Sequence, residues 1–432
     1  MDESLQAFVL THENDDPAWL VLHRDRWPEV DVALAAECIA ARRKLRNKVP
    51  EWYADPGIVC PLALSAEQCS STATARYKAA VAMRAMPSPY SHPQKAKGRA
   101  ETRKGPSIPA LLFRKPEALP GIAGRIADLT GGLGVDCWQF SKIADRVLYN
   151  EMNPLLAKAA EENLARLGCS NVGFSSIRID AGTLPPLLDS FRPDIVFIDP
   201  ARRGEGGRKI FLPEDCSPDV LTLQDIILKR GIRLMVKLSP MADISLMLSR
   251  FHNVKEIHAV QADGECRELL LLQEPGFDGE ATTVVAVEGG EIRFLQSEEK
   301  AAMPSFISAI PSPGMFLFEP GAALSKSGAF NLTCARYGLQ KLGPSAHLYV
   351  ADAIVSSLSA FGKWFEIQEV APFGKASVKD FSSRWPDAEC TARALPLSSE
   401  ELRKKMALRG GGHIHIFAAG TSVGRLIIST KV

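Results

Sequence analysis

Short apolar runs alternate with amphipathic stretches through the middle of the chain, from about residue 120 to residue 275. Brief apolar runs bounded by turn residues predict buried strands, and the amphipathic stretches between them predict helices. The strand candidates are Ile126–Thr130, Val147–Glu151, Val172–Ile179, Ile195–Asp199 and Leu234–Leu238. This alternation predicts an α/β domain in which right-handed βαβ units build a mostly parallel, Rossmann-like sheet.

The end of this domain follows a different pattern. Two further apolar runs, Val254–Gln261 and Arg267–Gln273, are separated by Ala-Asp-Gly-Glu. An Asp-Gly pair between two apolar runs is a strong hairpin signal. The sheet is therefore expected to end in an antiparallel strand.

The segment before the sheet, residues 1–119, divides into two parts. The first part is rich in alanine and predicts helices, with a candidate capping box at Ser65 and Gln68 opening a helix that runs to about Arg84. From residue 87 to residue 120, prolines alternate with lysines and arginines, which predicts a basic linker or arm. Such a charge run fits either a solvated linker or a nucleic-acid contact.

Two smaller α+β regions are expected after the sheet. Residues 276–340 contain the strand candidates Thr283–Glu288 and Ile292–Leu295 and a helix candidate around Gly321–Leu342. Residues 341–432 contain a second capping box, at Ser398 and Glu401, followed by a basic turn at residues 403–409.

Charge and cysteine usage narrow the classes of protein that fit. Lysine and arginine total 51 against 50 acidic residues, so any nucleic-acid surface must be a local patch. The nine cysteines form no C-x-x-C pair, which favours a reducing cytoplasm and predicts no metal site. The acidic start and the lack of a run of about 18 apolar residues predict neither a signal peptide nor a membrane span.

Glycines and acidic residues follow the first two strands, where a parallel sheet binds its ligands. Asp128 precedes glycines at 131, 132 and 134, although their spacing does not match the dinucleotide fingerprint. Glu151 ends the second strand, where a carboxylate can accept hydrogen bonds from a ribose diol. Together these features indicate an adenosine-containing cofactor.

The motif Asp128-x-Thr-Gly-Gly-x-Gly134, Glu151 and the Asp-Pro-Ala-Arg run at 199–202 resembles the class I S-adenosylmethionine-dependent methyltransferases, over about residues 120–275. The resemblance implies that the loop from Asp128 through Thr130, Gly131 and Gly132 to Gly134 wraps the methionyl part of S-adenosylmethionine. It also implies that Glu151 holds the ribose and that Asp180 faces the adenine. Asp180 fits equally well as a cap for the helix that follows it.

The run from Asp199 to Arg203 follows the fourth strand and carries the acceptor prediction. Resemblance to amino-group methyltransferases implies that Asp199 and the Pro200 carbonyl orient an exocyclic amine. Alanine and arginine replace the usual proline and aromatic residue. Arg202 can stack on a base, hold a phosphate, or make a surface salt bridge. Arg203 and Lys237 are further candidates for substrate contact, although Lys237 fits a structural role equally well.

The chemistry of uridine C5 methylation is disfavoured by the stretch after the fifth strand. Asp-Pro-x-Arg also occurs in RNA uridine C5-methyltransferases, which use a cysteine nucleophile after that strand. Here the stretch reads Val-Lys-Leu-Ser-Pro at residues 236–240 and contains no cysteine, so the covalent mechanism lacks its nucleophile.

A longer series of motifs resembles the bacterial family of RNA methyltransferases with a C-terminal THUMP-like domain. The motifs lie at residues 67–71, 75–78, 128–136, 198–203, 236–240, 263–266 and 395–398. The resemblance implies a ferredoxin-like domain within 276–340, a THUMP-like RNA-binding domain at 341–432, and tRNA or rRNA as substrate, modified at an exocyclic base nitrogen. Methylation of a small molecule or a protein, an RNA-binding or assembly factor with a vestigial pocket, and a nicotinamide oxidoreductase stay open as alternatives.

Overall fold

The computed structural model of the protein describes residues 3–86, 124–202 and 216–431. The basic arm predicted at residues 87–120 therefore lies outside the described residues. Arg203 and the glycines at 204, 206 and 207 lie outside them as well. The chain forms two compact units. The first contains the chain up to Ala262, Arg267–Ala281 and Glu288–Gly290, and the second contains Asp263–Cys266, Thr282–Val287 and Glu291–Val432.

The N-terminal region is helical, as its alanine-rich composition predicts. Its helices are α1 (Glu3–Thr11), α2 (Pro17–Leu22), α3 (Val32–Lys48), α4 (Pro50–Tyr53), α5 (Ala63–Gln68) and α6 (Thr72–Ala85). Apolar residues of α1, α2 and α3, among them Phe8, Leu20 and Ile39, form a buried cluster that packs these helices together. Burial of this apolar face holds α1 and α2, which are individually too short to be stable in water.

The capping box predicted at Ser65 is wrong. Ser65 lies inside α5, and α5 ends at Cys69, where the backbone becomes extended. The next helix, α6, begins after Ser71, whose side-chain oxygen accepts a hydrogen bond from the Thr74 amide at 3.2 Å. Both serines can cap a helix, so the position of the backbone break decided which one does.

The first unit is built around a mostly parallel sheet. The strands of this unit are β1 (Arg125–Asp128), β2 (Arg146–Asn150), β3 (Val172–Ser175), β4 (Ile195–Ile198), β5 (Ala201–Arg202), β6 (Cys216–Ser217), β7 (Arg233–Leu238), β8 (Val254–Ala262) and β9 (Glu265–Gln273). Among the described strands, the short β5 and β6 pair only with each other. Its helices are α7 (Val135–Phe140), α8 (Pro154–Arg166), α9 (Leu184–Phe191), α10 (Val220–Leu228) and α11 (Ile244–Arg250).

The order of strands across this sheet is β8-β9-β7-β4-β1-β2-β3. The ladders from β3 to β7 are parallel, and β7 pairs with β9 in the antiparallel sense. Asp263 and Gly264, which connect β8 to β9, both have positive φ angles, of 51° and 77°. The α/β class and the antiparallel end of the sheet are therefore confirmed.

The third strand is shorter than the apolar pattern predicts and ends at Ser175. Beyond it, the Ile177 amide donates to Asn150 Oδ1 at 3.1 Å, and Asn150 Nδ2 donates to the Ile177 carbonyl at 3.0 Å. The Asn150 side chain replaces a strand partner here, so Asp180 lies in a loop rather than at the end of the strand.

The second unit contains the remaining strands, β10 (Thr282–Val287), β11 (Gly290–Leu295), β12 (Ser305–Phe306), β13 (Phe316–Pro320), β14 (Gln340–Lys341), β15 (Tyr349–Ala351), β16 (Gly362–Pro372), β17 (Glu389–Arg393), β18 (Ile414–Thr421) and β19 (Gly424–Lys431). Eight of them form a sheet in the order β12-β14-β15-β13-β16-β19-β18-β17. The helices are α12 (Gln296–Ala301), α13 (Ala322–Ser327), α14 (Phe330–Tyr337), α15 (Lys375–Arg384) and α16 (Ser399–Met406).

Two helix predictions in this unit have different outcomes. The single helix expected around residues 321–342 is two helices, because Gly328 adopts a left-handed conformation with φ 77° and ends α13. The capping box at Ser398 is confirmed: Glu401 N donates to Ser398 Oγ at 3.2 Å, and Ser398 N donates to Glu401 Oε2 at 2.7 Å.

Three further observations concern the described residues only. None of their helices is both long enough and apolar enough to span a membrane. No cluster of three or more histidine, cysteine, aspartate or glutamate side chains within them is arranged to hold a metal ion. All nine cysteines are free thiols.

Replacement of Ser71 tests the observed start of α6. We expect Ser71→Ala to lower the free energy of unfolding by about 1 kcal/mol, because the Thr74 amide loses its side-chain acceptor. Ser65→Ala is the matched control and should change the free energy by less than about 0.5 kcal/mol. Denaturant unfolding of both variants measures the difference, and a larger loss for Ser65→Ala would contradict this assignment.

Candidate functional site

The loop after β1 is attached to the end of β2 by three hydrogen bonds. The Gly131 amide donates to the Asn150 carbonyl at 2.8 Å, and the Gly132 amide donates to Glu151 Oε2 at 2.9 Å. The Tyr149 hydroxyl donates to the Gly132 carbonyl at 2.5 Å. The structure therefore brings the predicted glycine loop and Glu151 together at the carboxyl edge of the sheet.

The three glycines of this loop are needed for different reasons. A Cβ atom on Gly131 would lie 2.1 Å from the Tyr149 ring, so close packing explains this glycine. Gly132 has a φ of 52°, and the nearest atom to its added Cβ would be the Thr130 carbonyl oxygen at 3.9 Å, which leaves open space above its backbone. Gly134 precedes α7 with a φ of 94°. Of the three, Gly132 has the surroundings that a close-lying ligand requires.

Both carboxylate oxygens of Glu151 are oriented by backbone amides. Oε2 accepts from Gly132, and Oε1 accepts from the Asn153 amide at 2.9 Å. Each carboxylate oxygen has a second lone pair, so Glu151 retains acceptor capacity for a diol. Met152 and Ile177, which the sequence analysis did not single out, expose 61% and 36% of their surfaces beside this edge. An apolar residue directly after a strand-end acid is the signal that could have identified Met152.

Asp180 makes the capping interactions that were the alternative explanation for it. Its Oδ1 accepts hydrogen bonds from the amides of Gly182 at 2.8 Å and Thr183 at 2.9 Å. These bonds hold the pKa of the Asp180 carboxyl below its ordinary value. The contact of Asp180 with adenine stays a prediction.

Asp128 is fully buried at the end of β1. Its Oδ1 accepts from the Thr130 amide at 3.2 Å, whereas its Oδ2 has no hydrogen-bond partner among the residues that the structure describes. Burial, reinforced by the charge of Asp136, raises the pKa of Asp128 well above its ordinary value. The loop therefore contains a buried acceptor atom that its own residues leave unsatisfied.

Asp199 contacts both the glycine loop and the strand on its other side. Its amide donates to Thr130 Oγ1 at 2.7 Å, and its Oδ2 accepts from Lys237 Nζ on β7 at 2.6 Å. Burial alone would lower the pKa of Lys237, but attraction to Asp199 and then to Glu268 outweighs it, and the pKa is raised. Lys237 therefore stays an ammonium ion at neutral pH and cannot act as a base.

The rest of the predicted acceptor run is only partly described. Pro200 is half-buried directly after Asp199. The backbone of Arg202 lies in β5, which pairs with Cys216 and Ser217 of β6 in a short antiparallel ladder. The substrate contacts expected of Arg202 and Arg203 stay predictions.

A buried cluster of charged residues lies behind the Lys237–Asp199 pair. Lys78 of α6 is fully buried and donates to both carboxylate oxygens of Glu268 at 2.9 Å and to Ser70 Oγ at 3.0 Å. Lys78 Nζ also lies 3.2 Å from Asp136 Oδ1, and Ser70 Oγ donates to Asp136 Oδ2 at 2.7 Å. The motifs quoted above contain Ser70, Lys78 and Asp136, but their sequence spacing gave them no role.

Comparisons with known proteins found similar domains, curated relatives and a similar solved structure. A family of ferredoxin-like domains matches residues 316–358, and a family described as THUMP domain-like matches residues 362–431. A solved structure from Porphyromonas gingivalis W83, assigned as a methyltransferase, superposes with a TM-score of 0.79 at 27% identity, covering 100% of this chain and 99% of that one.

Two curated proteins of Mycobacterium tuberculosis, from strains CDC 1551 and H37Rv, are each 25% identical over 312 residues. The match covers 71% of this chain and 80% of theirs, and both are named uncharacterized S-adenosylmethionine-dependent methyltransferases. This chain is a homologue of the S-adenosylmethionine-dependent methyltransferases. It is thus a methyltransferase with S-adenosylmethionine as its cofactor and a THUMP-like domain at its C-terminal end.

The residues of this methyltransferase fit such a cofactor in two respects. The open space above Gly132 admits a ligand against the backbone. The unsatisfied Oδ2 of Asp128 is a buried polar oxygen at the same loop, and a buried polar atom of this kind usually finds a partner. Both features lie where the strands of an open α/β sheet end and ligands bind.

Removal of the buried ammonium of Lys78 should strongly destabilise the methyltransferase. We expect Lys78→Met to lower the free energy of unfolding by about 3–5 kcal/mol, because Glu268 and Asp136 lose the buried ammonium that pairs with both of them. The double variant Lys78→Met/Glu268→Gln should recover most of this loss. Denaturant unfolding measures both variants, and equal losses for the two would contradict the expectation.

The raised pKa of Asp128 predicts a pH dependence of stability. Between its ordinary value of 3.8 and its folded-state pKa, this carboxyl binds a proton only in the folded chain, so the free energy of unfolding falls as the pH rises through that range. An asparagine side chain does not titrate. We therefore expect Asp128→Asn to show a smaller decrease in unfolding free energy between about pH 5 and about pH 8 than the wild type. Parallel pH curves from denaturant unfolding would show that Asp128 titrates normally.

Proposed function

We propose that this methyltransferase acts on RNA, either tRNA or rRNA, and methylates an exocyclic nitrogen of a base. The observation that carries the proposal is the hydrogen bond from the Asp199 amide to Thr130, 2.7 Å long, which joins the acceptor run to the cofactor loop. This contact supports a common reaction site for the two segments. We place the enzyme in the cytoplasm, where its nine free thiols stay reduced.

The cofactor assignments follow from the carboxyl edge of the sheet. When bound, S-adenosylmethionine supplies a methyl group that is already activated by the sulfonium. We assign the loop from Asp128 to Gly134 to the methionyl part and Glu151 to the ribose hydroxyls. The exposed side chains of Met152 and Ile177 provide an apolar surface for the adenine ring.

The acceptor amine is assigned to Asp199 and the carbonyl of Pro200. Lys237 occupies Oδ2 of Asp199, so Oδ1 accepts the hydrogen bond from the amine and directs the nitrogen lone pair towards the methyl group. Positioning of this kind supplies most of the rate enhancement when the methyl donor is already activated. Oδ1 can also take up the proton that the methylated amine loses, while Lys237 holds the carboxylate in place.

Support for RNA comes from the THUMP-like match over residues 362–431. The basic turn of that region, residues 403–409, is less available for contacts with RNA phosphates than its sequence suggests. Lys404 pairs with Glu400 at 2.7 Å, and Arg409 pairs with Asp387 at 2.5 Å. Few phosphate contacts remain there, which favours recognition of RNA shape and a shallow dependence of affinity on salt.

The roles of Asp199 and Glu151 are separable by mutation. We expect Asp199→Ala to lower the methylation rate by about 100-fold or more with S-adenosylmethionine affinity within about twofold of wild type. Glu151→Ala should instead weaken that affinity by about tenfold, because two ribose hydrogen bonds are lost. Calorimetry and transfer of a labelled methyl group measure the two effects. Asp189→Ala, which removes an exposed carboxylate pairing with Arg230, is the control.

A comparison of nucleosides identifies the acceptor. RNA from cells with and without the protein is digested, and its modified nucleosides are compared by mass spectrometry. We expect one base methylated on an exocyclic nitrogen to disappear, and to return only with the wild-type protein and not with Asp199→Ala. Loss of a C5-methylated uridine, or unchanged RNA, would reject the proposed acceptor.

A further inference from the structure

We propose that Lys78 of the N-terminal helical region is a positioning residue of the methyl-transfer site: through Glu268 and Asp136 it fixes Lys237, and through Lys237 it fixes the Asp199 carboxylate. The inference deepens the proposed function and rests on it for the role of Asp199. It makes the N-terminal region part of the catalytic machinery.

Lys78 and the three residues that it contacts, Glu268, Ser70 and Asp136, all belong to the first unit. Its ammonium lies 2.9 Å from each oxygen of Glu268, 3.0 Å from Ser70 Oγ and 3.2 Å from Asp136 Oδ1. An ammonium group has three protons, so these partners use its donor capacity. Lys78 and Glu268 are both buried, at 0% and 2% exposure, so solvent screens their interaction very little.

The sheet register connects this cluster to the acceptor site. Lys237 on β7 pairs with Leu270 on β9, and Glu268 lies two residues from Leu270 along the same strand. Residues two apart on a strand share a face, so Glu268 and Lys237 are diagonal neighbours within reach of long side chains. Attraction from Glu268 and Asp136 accordingly contributes to the raised pKa of Lys237.

The charges alternate in sign along this route. Asp199 is negative, Lys237 positive, Glu268 and Asp136 negative, and Lys78 positive. In the intact protein Lys78 neutralises much of the field of Glu268 and Asp136, which leaves Lys237 free to contact Asp199 at 2.6 Å. Without Lys78, Glu268 and Asp136 lose the ammonium that they share, compete for Lys237 and draw it away from Asp199.

Helix α6 also has contacts with the sheet that do not involve these charges. The same helix buries Ala75, Val81 and Ala82, and the Tyr77 hydroxyl lies 2.8 Å from Nδ1 of the buried His258 on β8. Buried ion pairs usually stabilise a fold no better than well-packed apolar residues of similar volume. Orientation of Lys237 gives the cluster a role that apolar packing could not supply.

The first arm of the test measures geometry without any substrate. Crystal structures of wild type, Lys78→Met and Lys78→Arg are compared at the Lys237–Asp199 contact. We expect Lys237 Nζ to leave Asp199 and move towards Glu268 and Asp136 in Lys78→Met. Lys78→Arg keeps the positive charge, and it replaces Lys78→Met in this comparison if Lys78→Met does not fold. Its planar guanidinium cannot reproduce the ammonium contacts, so a smaller displacement is expected. An unchanged Lys237–Asp199 contact in a folded variant overturns the proposal.

The second arm measures catalysis on the RNA identified above. At saturating RNA and cofactor, and well below the unfolding temperature, we expect kcat to fall about tenfold in Lys78→Met, with KM for RNA within about twofold. Addition of Glu268→Gln, which restores the net charge around Lys237, should recover most of kcat. A rise in KM or a loss of cofactor affinity alone, with unchanged kcat, would assign Lys78 to structure only.

Arg166→Ala is the matched control for both arms. Arg166 on α8 pairs with Asp55 at 2.7 Å and so links the same N-terminal region to the sheet domain, but on an exposed surface. It should leave the Lys237–Asp199 contact and kcat unchanged. Failure of the proposed function would appear as a wild type that methylates no RNA, whereas failure of this inference would appear as an active wild type with unaltered geometry in the Lys78 variants.

Discussion

The ends of neighbouring parallel strands determine where the proposed cofactor loop, Glu151 and Asp199 lie. β1 pairs with β2 on one side and with β4 on the other, so that Asp128 is in register with both Tyr149 and Phe197. The loop after β1 therefore hydrogen-bonds to Glu151 after β2 and to Asp199 after β4. A change in either register would move one carboxylate away from the glycine loop, since each strand residue adds about 3.3 Å.

Electrostatics within the first unit link the helical region to this edge. Lys78 and Ser70 come from the segment before the sheet, whereas Glu268 comes from its antiparallel last strand. Ion pairs of this kind are costly to bury and depend on hydrogen bonding, which Lys78 obtains from Glu268 and Ser70, with Asp136 as a second ion-pair partner. The antiparallel strand thus has a function beyond completing the sheet, because it carries the carboxylate that faces both lysines.

The second unit has a different balance of charges. Several of its basic side chains are paired with neighbouring carboxylates, as Arg384 is with Glu369 at 2.7 Å and Arg393 with Glu319 at 2.9 Å. Exposed pairs of this kind contribute little to stability, but they reduce the positive potential available to phosphates. The near-zero net charge of the chain is therefore matched by local neutralisation among the described residues of this unit.

The sequence alone determined the class of the fold and most of its order. Alternating apolar runs predicted the parallel strands, and Asp263-Gly264 predicted the turn before the antiparallel last strand, because both depend on local patterns and turn chemistry. The same is true of the Ser398 cap, whose partner lies three residues away. The residues that follow the first two strands indicated the glycine loop and Glu151 as candidates, and family resemblance supplied the role of Asp199. The strand register explains why they lie together.

Only the tertiary structure decided which groups face one another over long sequence distances. Lys78 and Glu268 are separated by 190 residues, and no spacing rule connects them. Ser65 and Ser71 are both suitable caps, and the extended backbone at Cys69 selected the second. Gly131 is predicted from the sequence to contact a ligand, but close packing against the Tyr149 ring is what requires a glycine there. The third strand is shorter than predicted because the Asn150 side chain takes the place of a strand partner. In each case the deciding partner lies outside the local sequence pattern, because packing and buried charge act between segments that only the fold brings together.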